Sequence, residues 1–153
     1  TEAWYTLNQI PKGKPVSRSD YNVSHNQLTP LEKSEDWKLL FNGKDLSDLR
    51  NYNSNSVGSK WDVENGTLHL SATAASADKI YPVGDNLVVS DRIYENYEFY
   101  VEWKVASCGN SGIIYNVIED EKYPEAYLTG LEMQVLDNSS HQDAQYLSRR
   151  SGD

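Results

Sequence analysis

Apolar positions along this chain come in short bursts divided by turn residues. Between residues 97 and 105 apolar and polar residues alternate: Tyr97, Phe99, Val101, Trp103 and Val105 fall on one face, and Glu98, Tyr100, Glu102 and Lys104 on the other. A period of two is that of a strand with one buried face. Residues 131–136 repeat it, with Leu131, Met133 and Val135 predicted inward and Glu132 and Gln134 outward. Residues 112–118 leave the choice open, because Ile113, Tyr115 and Val117 alternate with Ile114, Asn116 and Ile118. Residues 60–63 and 67–70 flank Asn65-Gly66 and predict a hairpin, since Asn-Gly readily supplies the two left-handed positions of a tight turn. A further strand is expected over 37–41, stopped by Asn42-Gly43, and another over 86–90.

No window carries a helical period, and no phosphate-binding glycine loop or internal repeat is present. Short strands punctuated by turns predict an all-β sandwich or jelly roll. Residues 1–35, with Pro11, Pro15 and Pro30 and little periodicity, are expected to form an N-terminal arm or leader, and 36–153 the domain.

The net charge of −9 argues against nucleic acid and anionic membrane surfaces as partners. No stretch approaches the roughly 20 apolar residues of a membrane span. The aromatic set of 11 Tyr and 4 Trp against 2 Phe favours rings with a polar rim, which suit sugar stacking as well as sandwich cores. Cys108 is the single cysteine, so an intrachain disulfide is excluded, and a buried structural thiol is expected.

The polar strand faces carry the candidate chemistry. Glu102, Lys104, Glu132 and Gln134 are long hydrogen-bonding groups, and a sugar site needs such groups beside flat apolar surface. Two carboxylates facing one ligand can have their pKa values pushed apart, one serving as acid and the other as base. Asn110 opens a loop into the middle strand. Asp137 and His141 follow the last one, where a base pair, a metal site and an Asx turn are all compatible with the spacing. No metal or other cofactor is expected.

Five segments resemble a known family. Trp37-Lys-Leu-Leu-Phe-Asn-Gly-Lys-Asp-Leu46, Trp61-Asp-Val-Glu-Asn-Gly-Thr-Leu68, Asn96-Tyr-Glu-Phe with Glu102-Trp103-Lys104, Gly109-Asn-Ser-Gly-Ile113 and Gly130-Leu-Glu-Met-Gln-Val-Leu-Asp-Asn138 occur in the order of the 3-keto-disaccharide hydrolase domain family. Ser47-Asp48-Leu49 stands where that family usually has Gly-Trp. The resemblance implies a concanavalin A-like jelly-roll β-sandwich whose concave sheet holds the ligand. It also implies that C-terminal strands of the family pattern are lacking here and must come from the rest of the protein or another chain.

The implied activity is hydrolysis of 3-keto-glycosides or 3-keto-disaccharides, with Glu132 as leading acid or base, Glu102 as its partner and Lys104 as electrostatic stabiliser. Asn110, Gln134, Asp137, His141, Tyr115 and Trp103 are expected as ligand contacts. Its rivals are a non-catalytic carbohydrate-binding module of the same fold, an interaction module, and hydrolysis of an unoxidised sugar. The resemblance also implies a bacterial, extracytoplasmic setting: periplasmic, secreted or surface-anchored.

Overall fold

The computed structural model describes residues 3–8, 23–71, 86–89 and 93–151 of the chain, the first of these as backbone only. Among them are eight strands: β1 (Ala3–Asn8), β2 (Arg50–Asn51), β3 (Trp61–Glu64), β4 (Thr67–Leu70), β5 (Leu87–Val88), β6 (Tyr100–Val105), β7 (Asn110–Tyr115) and β8 (Leu131–Leu136). They form a four-stranded sheet of order β3-β4-β1-β6 and two ribbons, β2-β5 and β7-β8, all with antiparallel pairing. The all-β class read from the alternation is therefore the observed one.

The β3-β4 hairpin turns at Asn65 and Gly66, both at positive φ (51° and 78°), as an Asn-Gly turn requires. Asn26 reaches this turn from upstream, its Nδ2 donating to the Gly66 carbonyl at 2.6 Å. A Cβ at Gly43 would also press on Asn26, so that side chain lies against both Asn-Gly turns.

β1 is the least expected element. It lies within residues 1–35, yet it is paired on both sides, Trp4 standing opposite His69 on β4 and opposite Lys104 on β6. A second departure is helix α1 (Pro30–Ser34). Its signal is the capping box Thr29-x-x-Glu32 with Pro30 in the first turn: Glu32 N–H donates to Thr29 Oγ1 at 3.1 Å, and Thr29 N–H to Glu32 Oε2 at 2.6 Å. At five residues the helix is too short for an apolar period to show.

Residues 37–41 join no sheet among the described residues, although Trp37 and Phe41 are buried. Apolar alternation secures burial, whereas a strand also needs a neighbour's ladder of hydrogen bonds.

Phe41, Leu49, Leu68 and Val135 form the core, with Trp61, Val63, Leu87, Val101, Val105 and Ile113 packed against it. The expected inward rows are only partly buried. Trp103 keeps 37% of its surface exposed, Met133 39% and Leu131 61%, while Val135 on the same row as the last two is fully enclosed. Tyr97 and Phe99, predicted inward, lie before β6 and are also exposed. Arg50 pairs bidentately with Glu119 at 2.5 and 2.6 Å and so ties β2 to the segment after β7. That guanidinium holds the Glu119 carboxyl below the ordinary carboxylate range.

Candidate functional site

In the β7-β8 ribbon Ile114 stands opposite Glu132, Gly112 opposite Gln134 and Asn110 opposite Leu136. Residues opposite one another in an antiparallel pair share a face. Ile113 and Val135 belong to the other face, which enters the core. The outward face therefore carries Glu132, Gln134 and Asn110 around Ile114 and the bare backbone of Gly112. Ile114, rather than Asn116, takes the middle position; Asn116 lies past the strand end at φ 57° and accepts the Tyr97 hydroxyl at 3.1 Å.

Glu132 is the chemically distinctive group on this face. Partial withdrawal from water pushes its carboxyl above the ordinary glutamate range. Gln134 Nε2 donates to Glu132 Oε2 at 3.3 Å. A Cβ on Gly112 would overlap Glu132 Oε1 and stand 2.6 Å from its Cδ, so the carboxylate rests directly on the β7 backbone. A carboxyl with its pKa raised toward neutrality can exchange a proton with a ligand, which an ordinary surface glutamate, fully ionised, does poorly.

Glu102 and Lys104 do not join it. β6 and β7 are linked by residues 106–109 but do not pair, so the chain passes from the four-stranded sheet to the ribbon as an arch rather than a hairpin. Val101 and Val105 on β6 meet the same core as Ile113 and Val135. Glu102 and Lys104, of opposite parity to those valines, therefore point outward from the four-stranded sheet, on the far side of the sandwich from Glu132. Alternation tells which residues of one strand share a face, but not which sheet the strand joins. On that far face Glu102 Oε2 meets His25 Nδ1 at 3.1 Å.

The loop candidates divide. Asn110 is exposed at the start of β7, on the Glu132 face. Asp137 is occupied by its own loops: Oδ2 accepts the Cys108 N–H at 2.9 Å and the Ser140 hydroxyl, and Oδ1 accepts the Ser139 N–H at 3.0 Å and its hydroxyl. These bonds hold its carboxyl far below the ordinary range. It forms the Asx turn of the three arrangements its spacing allows. His141 Nδ1 accepts the Asp143 N–H at 3.1 Å and caps a 3-10 turn over Gln142–Gln145. Tyr115 and Trp103 are on core-side rows at the open margin of the sandwich, 41% and 37% exposed, rather than on the outward faces.

Cys108, expected to be buried, is exposed at φ 57° in the arch. Its position in a tight turn decides this, since the apolar character of the side chain cannot bring a turn residue inward. Among the described residues no group of three or more His, Cys, Asp or Glu is close enough to hold a metal ion. Gly112 is the site residue that pattern reading passes over; its one signal is a glycine inside an otherwise apolar strand.

The motif order and this architecture have counterparts. The 3-keto-alpha-glucoside-1,2-lyase-like domain matches residues 36–153. The chain belongs to this family. A 3-keto-disaccharide hydrolase of Bacteroides thetaiotaomicron is 33% identical over 113 residues, covering 69% of this chain and 38% of the relative. A crystal structure of a candidate glycosyl hydrolase from Parabacteroides distasonis aligns with a TM-score of 0.59 at 33% identity, over 76% of this chain and 48% of that one. The chain thus spans less than half the length of both relatives.

Proposed function

We propose that the protein cleaves the glycosidic bond of 3-keto-glycosides and that Glu132 transfers the proton. The observation that carries this reading is the Glu132 carboxyl, raised above its ordinary range and seated on an outward sheet face with Gln134 and Asn110. The family and the names of the two relatives supply the substrate class.

A ketone at C3 acidifies the C2 hydrogen. Glu132 takes that proton, and the electron pair moves into the C3 enolate. The enolate re-forms the ketone as the C1–O bond breaks, and the leaving oxygen takes a proton. Water then adds across C1 and C2, its oxygen to C1 and its hydrogen to C2. A base whose pKa lies nearer the working pH serves this step better than a fully ionised carboxylate. Glu102 and Lys104, on the far face, are not part of this site in the proposal. We further propose that in the whole protein additional strands cover Leu131, Met133, Tyr115 and Trp103. These large side chains on core-side rows are exposed here, and the chain spans under half of its relatives.

The test is product analysis by NMR, with a 3-keto-disaccharide and its unoxidised counterpart, for the protein and its Glu132→Gln variant. Cleavage of the keto substrate alone, lost in the variant, is the expected result. Full turnover by Glu132→Gln would overturn the role of Glu132, and saturable binding of either sugar without product would make the domain a carbohydrate-binding module.

A further inference from the structure

Gly112 occupies the interior of β7, where glycine weakens a strand by adding backbone entropy to the unfolded chain and offering no side chain to pack. Its backbone does not explain its presence. Gly43 and Gly66 are the glycines at positive φ among the described residues, and Gly112 is not one of them. What an added side chain would meet is Glu132: a Cβ would overlap Oε1, with Cδ at 2.6 Å and Cγ at 2.7 Å. All three nearest atoms belong to that one side chain. Directly across the ladder from Gly112 is Gln134, the residue that donates to the other carboxylate oxygen, Oε2, at 3.3 Å.

We propose that Gly112 is a positioning residue for Glu132. Its missing side chain is the seat into which the carboxylate folds, so that one oxygen rests on the β7 backbone and the other is held by Gln134. The proposal rests on the reading of Glu132 as the proton-transfer group and adds the device that aims it. Without the seat, the flexible glutamate swings off the sheet into water and loses its Gln134 contact together with its shielding. A misplacement on the order of 1 Å is enough to cost about 100-fold in a proton-transfer step.

The experiment compares Gly112→Ala with the unaltered protein in two readouts. One is the titration of the Glu132 carboxyl carbon by NMR, assigned by the signal lost in Glu132→Gln. The other is kcat and KM on a 3-keto-disaccharide. Gly112→Ala is expected to move the titration down toward that of an ordinary glutamate and to lower kcat by about 10-fold or more, leaving KM within about 3-fold. An unchanged titration overturns the proposal, and so does an unchanged kcat in a protein that turns over the substrate. Should the unaltered protein cleave no 3-keto-glycoside while Gly112→Ala still moves the titration, the substrate reading fails and the positioning stands. If Gly112→Ala does not fold, the double variant Gly112→Ala/Glu132→Ala decides. Folding restored by removing the glutamate supports the conflict between methyl and carboxylate, and a double variant that is also unfolded overturns it.

Discussion

Asp137 holds the Cys108 backbone N–H at 2.9 Å, joining the arch after β6 to the loop that leaves β8. The same carboxylate takes hydrogen bonds from Ser139 and Ser140. A residue whose spacing suggests ligand chemistry is thus a fastening between two loops. Its carboxyl is held low by these donors, so the stabilisation is complete above the unfolded-state value of about 4 and is lost as pH falls below it toward the folded-state value. Thermal melts from pH 7 down to pH 2 should show this acid limb, and Asp137→Asn should flatten it and lower the melting temperature at pH 7. A variant as stable as the unaltered protein across that range would contradict the fastening.

Glu132 has the opposite sign. Its carboxyl is raised by desolvation, so its contribution is fully present below the unfolded-state value and declines as pH rises through the folded-state one. Glu132→Gln, which removes the charge and keeps the shape, should therefore raise the melting temperature at pH 7 and leave it little changed near pH 3. A stabilised but inactive variant is the pattern expected where a group is strained for function. Equal stability at both pH values would place the carboxylate in open water instead.

Leu68 and Leu131 both fall on rows of core parity but meet different surroundings, at 1% and 61% exposure. Leu68→Ala should cost about 2–5 kcal/mol, because it removes transfer energy and leaves a cavity. Leu131→Ala in the same chain should stay within about 0.5 kcal/mol. Urea denaturation of the two variants checks this directly, and equal losses would show that Leu131 is packed in solution.

β1 precedes the family match, which begins at residue 36, but stands between β4 and β6. Removing residues 1–8 takes away the ladder that joins them and leaves two open edges, which template association between chains. The shortened protein is expected to melt lower and to elute as aggregate in size-exclusion chromatography. A monomer of unchanged stability would show that β1 is dispensable.

How far the pattern reaches can be judged from particular residues. Alternation located β6 and β8, and Asn65-Gly66 located the hairpin, because period and turn chemistry are local properties of the backbone. Thr29 and Glu32 announced α1 equally locally, through a capping box that a search for periodicity overlooks. Glu132 and Gln134 were placed together on one face correctly, since they share a strand. Glu102 and Lys104 were not, because a face common to two strands depends on which sheet each one enters.

The order of polar and apolar residues by itself determined the all-β class, the position of the main strands and the parity of every side chain on them. The ordered motifs likewise point to the family on their own. Tertiary structure alone decided that residues 106–109 arch between layers, which sends Glu102 and Glu132 to opposite surfaces. It also turned Asp137 into a fastening, left Cys108 in water and set the Glu132 carboxylate on Gly112. Each of these depends on contacts between segments distant along the chain, and local periodicity carries no information about which segments meet.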